Sequence, residues 1–170
     1  KAHLEGTDFV DSLAGVDAQP ADIAVTSNGG YPLDQNIYQA VKGMTAAEAT
    51  CKKDGVIIIA AECSDGHGGE EFYQTFRDAD SAQQIMDNIL ARGRRETVPD
   101  QWETQILARI MIKFKVIMIT SPEQRKIVEA MGMSWASDFS EAVKKAENML
   151  AEKNPTITAI PDGVSVIVRQ

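Results

Sequence analysis

Two amide side chains and one ammonium group recur along a single predicted helix at spacings that would bring them together. Gln35, Gln39 and Lys42 are separated by four and three residues, which is the spacing of neighbours on one helical face. Ile37 and Val41 have the apolar spacing of the opposite, buried face. An ammonium group can bind a carboxylate or phosphate, and an amide one turn away can hydrogen-bond the same ligand. Two interpretations remain open: a solvated polar face, or the polar rim of a ligand cleft.

A second polar segment, "ECSDGHGGEE" at Glu62–Glu71, combines a thiol, an imidazole and several carboxylates. Metal sites need three or four ligands, and the sequence offers one Cys63, one His67 and acids without a paired motif. A Cys-His nucleophile would also need an orienting third group, which nothing identifies. The segment matches no phosphate-binding motif. We therefore predict no metal ligand here and expect the glycines to bend the loop near a ligand or partner domain.

Aromatic and basic side chains elsewhere allow both a structural and a functional interpretation. Trp102 and Trp135 are each expected to be core or half-buried, with stacking on a planar ligand as the alternative for Trp102. Arg92, Arg94 and Arg95 are expected in a solvated loop, with contact to a phosphate or another domain as the alternative.

Alternating strand and helix patterns must position these side chains. The predicted strands are Asp22–Asn28, Val56–Ala61 after a turn at Lys53–Gly55, Lys115–Thr120, and two short ones in "TITAIPDG" and "VSVIVRQ". The first predicted helix extends from Gln35 to about Cys51, with Asp34 as its N-cap. A second begins within Phe72–Arg77, and two more are Ser81–Ala91 and Gln101–Lys113. The last two extend from Ser121 to about Met131 and from Asp138 to about Lys153.

This order predicts an α/β, Rossmann-like three-layer fold with a mainly parallel sheet of four or five strands. Ligands of such sheets bind beyond the carboxyl ends of the strands, where Ser27–Asp34 and Glu62–Glu71 are expected to lie. Residues 1–20 are expected to form an interdomain connector or helix. Residues 21–170 are expected to form the C-terminal α/β domain of a longer two-domain protein, since the chain begins at Lys1 in what resembles mid-protein sequence.

Composition excludes several classes of function. The net charge is −8, from 17 basic and 25 acidic residues, which disfavours nucleic-acid binding because phosphates require a basic surface. The longest apolar runs have strand length, so we expect no membrane span, and no secretion signal is recognisable. Cys51 and Cys63 make no disulfide framework, which favours a reduced, cytoplasmic setting.

The run "GYPLDQNIYQAVKGM", followed by "DGVIIIAAECSDGHGGEEFY", resembles the C-terminal domain of the nickel-dependent lactate racemase family. The resemblance is strongest over Asp22–Tyr73 and implies a two-domain α/β protein. It also implies a nickel-pincer nucleotide in the cleft between the domains. In such a family, a 2-hydroxy acid is racemised by hydride transfer from its C2 to the cofactor and back to the opposite face, with histidines as acid and base at the hydroxyl.

The same resemblance assigns roles residue by residue. The catalytic histidines, the cofactor-tethering lysine and the nickel ligand belong to the N-terminal domain, so no catalytic residue or metal ligand is placed in this chain. Gln39 and Lys42 correspond to substrate-binding residues, and Trp102 and Tyr38 to residues at the cofactor. The expected partners are the protein's own N-terminal domain and a small 2-hydroxy acid, and the fragment is expected to be inactive alone. The alternative is a Rossmann-like module that binds a small anion or another domain without catalysis.

Overall fold

The computed structural model describes residues 1–150 and 154–169, in which strands and helices alternate. The strands are β1 (Gly15–Asp17), β2 (Ala21–Ser27), β3 (Cys51–Ala60), β4 (Lys115–Ile119), β5 (Ser134–Ala136), β6 (Ile157–Ile160) and β7 (Ile167–Arg169). The helices are α1 (Ala2–Ala14), α2 (Ile37–Thr50), α3 (Glu70–Asp78), α4 (Ala82–Ala91), α5 (Gln101–Lys113), α6 (Arg125–Ala130) and α7 (Phe139–Leu150), with a 3₁₀ turn at Pro122–Gln124 before α6. No described helix is long and apolar enough to cross a membrane.

Five parallel strands form the main sheet in the order β5-β4-β3-β2-β6. In the sheet centre, Ile58 of β3 is in register with Val25 on one side and Ile117 on the other. The predicted Rossmann-like α/β fold with a mainly parallel sheet is therefore confirmed. The last predicted strand forms but pairs with β1 in a separate two-stranded sheet, and Gln170 lies outside the described residues.

Alternate residues of β3 divide the core into two layers, as the two-residue period of a strand requires. Ile57 and Ile59 pack with α2 to α6, whereas Val56 and Ile58 pack on the other face of the sheet with α7. These four side chains are fully buried, and each contributes about 1.5–3 kcal/mol of hydrophobic stabilisation. The buried centre of the sheet provides a rigid base for the loops at its carboxyl edge.

The start of α2 differs from the sequence prediction. Asn36, not Asp34, is the N-cap, and its side-chain Oδ1 accepts a hydrogen bond from the backbone N–H of Gln39 at 2.9 Å. Gln35 therefore precedes the helix, and the predicted face of three polar side chains reduces to Gln39 and Lys42. Asp34 was the wrong cap because contacts with a distant loop fix where the helix begins.

The predicted turn at Lys53–Gly55 forms within β3 as an irregularity of the strand, in which Asp54 has a φ of 62°. Ala21 pairs with Cys51, but Ile23 pairs with Val56, so β3 carries extra residues between the two pairs. At the far end of the chain, the predicted cap Asp138 is confirmed by a 2.9 Å bond from the N–H of Glu141. The rest of that predicted helix, residues 151–153, lies outside the described residues.

Candidate functional site

The first turn of α2 is held by the loop that follows β3. The backbone N–H of Ile37 donates to the carbonyl of Gly66 at 3.0 Å, and that of Tyr38 donates to the carbonyl of His67 at 3.1 Å. Together with the Asn36 cap, these bonds satisfy N–H groups that a helix start leaves unpaired. The loop after β3 and the loop between β2 and α2 both lie at the carboxyl edge of the parallel sheet, where ligands of α/β proteins bind.

Further bonds join the two loops before α2 begins. The N–H of Cys63 donates to the carbonyl of Asp34 at 2.9 Å, and the N–H of Asp65 donates to the carbonyl of Gln35 at 2.8 Å. The backbone of Glu62 also donates to the Asp34 carboxylate at 3.2 Å. The Glu62–Glu71 loop, whose role the sequence left open, therefore positions the start of α2.

A lysine and a glutamine form a bonded pair on the outer face of α2. The Lys42 Nζ donates to the Gln39 Oε1 at 2.5 Å, and Lys42 is exposed while Gln39 is partly buried. This bond occupies the oxygen of the amide and one hydrogen of the ammonium. The Gln39 Nε2 hydrogens and two ammonium hydrogens remain as donors, so the pair is suited to bind an anion.

Two aromatic rings connect the start of α2 to the start of α5. Tyr38, one turn before Lys42, meets Trp102 of α5 edge to face, with ring centroids 6.0 Å apart at 87°. Trp102 is 54% exposed and thus about half-buried, outside the core, whereas Trp135 is 8% exposed and lies in the core as predicted. The exposed indole leaves a flat apolar surface at the start of α5, and Tyr38 connects it to the helix that carries Lys42.

Glu103, beside Trp102, is a site residue that the sequence analysis missed. Its side chain is fully buried, and both carboxylate oxygens lack a hydrogen-bond partner among the described residues. Burial raises its pKa to about 7, although the Lys42 charge opposes the increase. Burial, followed by the charges of Asp100 and Glu103, also raises the pKa of Tyr38. The burial of Glu103 was detectable in the sequence, because Glu103, Leu107 and Ile110 are spaced by four and three residues on one face of α5.

The thiol and imidazole of the Glu62–Glu71 loop have structural roles. Cys63 is fully buried, and burial raises its pKa to about 12, so the thiol stays protonated and makes a poor nucleophile or ligand. The His67 ring stacks on Tyr73 at 4.8 Å, and its Nδ1 accepts a bond from the N–H of Gly69 at 3.2 Å. No cluster of three or more potential metal ligands exists within residues 1–150 and 154–169.

Five parallel strands covered by helices on both faces define an α/β domain of the class whose ligands bind at the carboxyl edge of the sheet. The family model described as the lactate racemase C-terminal domain matches residues 16–168, and the chain belongs to this family.

Comparison with individual proteins gives the same result. The chain is 61% identical over 170 residues to the lactate racemase of Thermoanaerobacterium thermosaccharolyticum, covering all of this chain and 40% of that protein. It is 47% identical over 171 residues to the lactate racemase of Lactiplantibacillus plantarum, covering 99% and 39% respectively. The solved lactate racemase apoprotein of T. thermosaccharolyticum superimposes with a TM-score of 0.96 at 60% identity, over all of this chain and 40% of that one. The chain thus spans about two fifths of the length of these relatives.

Proposed function

We propose that this chain is the substrate-contacting C-terminal domain of a nickel-pincer-dependent racemase or epimerase of a 2-hydroxy acid such as lactate. The observation that carries the proposal is the bonded Gln39 and Lys42 pair on α2, the helix whose Tyr38 contacts the exposed Trp102. Membership of the lactate racemase family supports the same reaction class.

In this proposal Lys42 binds the substrate carboxylate or stabilises negative charge that develops on the substrate oxygen. Gln39 fixes the lysine through its Oε1 and donates from its Nε2 to the same ligand. A hydrogen bond between charged groups contributes about 1.5–3 kcal/mol, which is enough to orient a small acid. In this proposal both side chains act as hydrogen-bond donors to the substrate, so this chain supplies orientation and charge.

The described residues fit one part of a nickel-pincer nucleotide. Residues 1–150 and 154–169 contain no cluster of three or more potential metal ligands, and in this proposal the nickel ligand belongs to the N-terminal domain. The exposed Trp102, supported edge to face by Tyr38, instead offers a surface on which a planar pyridinium ring can pack. When bound, the nucleotide supplies the hydride acceptor of the reaction. In this proposal Trp102 and Tyr38 orient its ring.

The remaining parts of the proposal concern partners and setting. An N-terminal domain would supply the catalytic histidines and the nickel ligand, so the chain alone would be inactive. Residues 1–20 would connect that domain to the C-terminal domain of residues 21–170. The free thiols of Cys51 and Cys63 support a reduced, cytoplasmic setting.

The test uses the whole racemase, with this chain joined to the remainder that its relatives possess, loaded with cofactor. We expect Lys42→Ala to lower kcat/KM for lactate by about 100-fold, because the lost charge-assisted bonds are worth about 3 kcal/mol. Gln39→Ala is expected to lower it by about 10-fold, as one orienting group is lost. The measurement is the rate of interconversion of D- and L-lactate.

Lys144→Ala is the matched control, because Lys144 is an exposed lysine on α7, on the opposite face of the sheet. Its racemisation rate should equal that of the parent enzyme. Equal rates for the parent, Lys42→Ala and Gln39→Ala would show that the proposed substrate contacts are wrong.

A further inference from the structure

Asn28, the first residue after β2, has a buried side chain whose hydrogen bonds join two different elements. The residue is 1% exposed. Its Oδ1 accepts from the backbone N–H of Gly43 at 2.8 Å, and its Nδ2 donates to the backbone carbonyl of Leu33. One amide group thus binds α2 through its acceptor and the loop before α2 through its donor.

Gly43 lies where α2 comes very close to the end of β2. A Cβ atom at this position would lie 2.6 Å from the Ser27 carbonyl oxygen and 2.8 Å from the Asn28 Oδ1. In an α-helix the N–H of Gly43 points to the carbonyl of Gln39, and Gly43 directly follows Lys42. The bond to Asn28 therefore reaches the turn that carries both members of the candidate pair.

Apolar packing alone does not explain this bond. Helix α2 already has fully buried side chains at Ile37, Val41 and Met44, which pack in the core through non-directional contacts. Such contacts change little when a helix rotates slightly about its axis, whereas a hydrogen bond has a preferred distance and angle. The bond to Asn28 therefore specifies the rotation of α2 at Lys42.

The second bond of Asn28 ends in the loop that precedes α2. In this loop the N–H groups of Leu33 and Asp34 both donate to the carbonyl of Gly30, at 2.8 and 3.2 Å, which closes a turn. Leu33 is partly exposed at the carboxyl edge of the sheet, where ligands of such folds bind. Asn28 therefore fixes the Lys42 turn relative to a loop on the ligand side of the sheet.

We propose that Asn28 is a positioning residue for substrate binding. Through Gly43 it holds the bonded pair on α2 in the orientation that binds the substrate carboxylate, and it touches neither substrate nor cofactor itself. This role rests on the proposed function, in which Lys42 contacts a 2-hydroxy acid.

Small rotations of α2 have a large effect at the position of the lysine. A helix with its side chains has a radius of about 5–6 Å, so a rotation of about 10° moves a surface group by about 1 Å. A misplacement of about 1 Å can lower a rate by about 100-fold. Loss of the Asn28 bond is therefore expected to reduce catalysis measurably while the protein remains folded.

The first experiment is a double-mutant cycle in the whole, cofactor-loaded racemase. We expect Asn28→Ala to lower kcat/KM for lactate by about 10-fold, because the anchor of the Lys42 turn is lost. In a Lys42→Ala background, the same change should lower kcat/KM by less than about 3-fold, because the charge that Asn28 positions is absent. A merely structural defect would lower kcat/KM by the same factor in both backgrounds, and that result would overturn the proposal.

Asp22→Ala is the structural control at the other end of β2. The Asp22 carboxylate accepts from the backbone N–H of Thr156 at 2.8 Å and from the Lys52 ammonium at 3.0 Å. Loss of these bonds should lower the midpoint of thermal unfolding and leave kcat/KM at the parent value, because they lie at the amino edge of the sheet. A fall in kcat/KM as large as that of Asn28→Ala would show that any weakening of β2 lowers activity, which contradicts a specific role of Asn28.

Gly43→Ala tests the same anchor from the side of the helix, and it also serves if Asn28→Ala does not fold. Alanine is favoured over glycine within a helix, but its Cβ would push the turn away from the Ser27 carbonyl. We expect kcat/KM to fall by about 10-fold or more in the Lys42 parent, and by less than about 3-fold in Lys42→Ala. Parent-like kcat/KM in folded Gly43→Ala would overturn the proposal.

The outcomes separate this inference from the function on which it rests. Impaired Lys42→Ala together with parent-like Asn28→Ala would overturn the positioning role and leave the racemase function standing. Unimpaired Lys42→Ala would overturn the proposed substrate contact, and hydrogen exchange would then test the anchor itself. The Gly43 amide should exchange at least about 10-fold faster in Asn28→Ala than in the parent, and equal exchange would show that Asn28 does not hold this turn.

Discussion

Asn36 makes two contacts at the entrance of the candidate site. Its side chain caps α2 by accepting from the N–H of Gln39, and it packs against Gly68 of the neighbouring loop. A Cβ atom at Gly68 would lie 2.4 Å from the Asn36 Cγ, closer than any real contact. The position of the Asn36 cap therefore depends on glycine at position 68, where a side chain would clash.

Gly68→Ala is predicted to destabilise the chain by about 2–3 kcal/mol. Gly68 has a φ of +81°, which costs alanine about 1–2 kcal/mol, and the clash with Asn36 adds to this cost. Gly30→Ala is the matched control, because Gly30 has a φ of +77° but nothing within 4 Å of the added carbon. Urea unfolding should give a loss about 1 kcal/mol larger for Gly68→Ala. Equal losses would mean that the contact with Asn36 is unimportant.

At the scale of elements, α2 and α5 must keep a fixed relative position, because one carries Lys42 and the other Trp102. Glu48 near the end of α2 binds Arg109 through two bonds of 2.9 and 2.6 Å and Lys113 through one of 3.0 Å. The Glu48 side chain is only 12% exposed, so solvent screens these bonds less than it screens a surface pair. Glu48 thereby fixes the ends of both helices opposite the site.

Glu48→Gln is predicted to lower the free energy of unfolding by about 1–2 kcal/mol, because two cations of α5 lose their partner. Glu129→Gln is the control, since Glu129 forms a single pair with Arg125 and is largely exposed. Glu129→Gln should lower the free energy of unfolding by about 0.5 kcal/mol or less. Urea unfolding at low and high salt measures both, and the Glu48 effect should shrink less in salt. Equal effects of the two substitutions would show that the α2–α5 ion pairs do not stabilise the contact.

The accuracy of the sequence prediction differed between elements for a physical reason. Helix α5 was predicted at its observed bounds, because its apolar period and N-terminal loop are local signals. The start of α2 was missed, since carbonyls of Gly66 and His67, distant in sequence, select the first helical N–H groups. Spacing correctly predicted that Gln39 and Lys42 meet, as their bond is local. The effect of the Lys42 charge on the pKa of Glu103 depends on how α2 packs on α5, which no local pattern records.

At the scale of the whole molecule, the main sheet and the chain start are joined by few contacts. Helix α1 has no buried residue, and its apolar side chains are exposed. It is tied to the rest by bonds from the Arg169 guanidinium to the Asp11 carboxylate at 3.0 and 2.7 Å and by the β1–β7 pair that follows it. The two hydrophobic clusters contain no residue of α1.

Deletion of Lys1–Ala14 is therefore predicted to change the free energy of unfolding by less than about 1 kcal/mol, because the lost contacts are exposed ion pairs and a few hydrogen bonds. Asp11→Asn should reproduce most of that change, since Arg169 loses the same charged partner. By contrast, Ile58→Ala at the sheet centre should cost about 2–5 kcal/mol. Calorimetric unfolding of the three variants makes the comparison. A deletion that costs as much as Ile58→Ala would show that α1 is an integral part of the folding unit, whereas a small cost would place stability in the five-stranded sheet and its two helical layers.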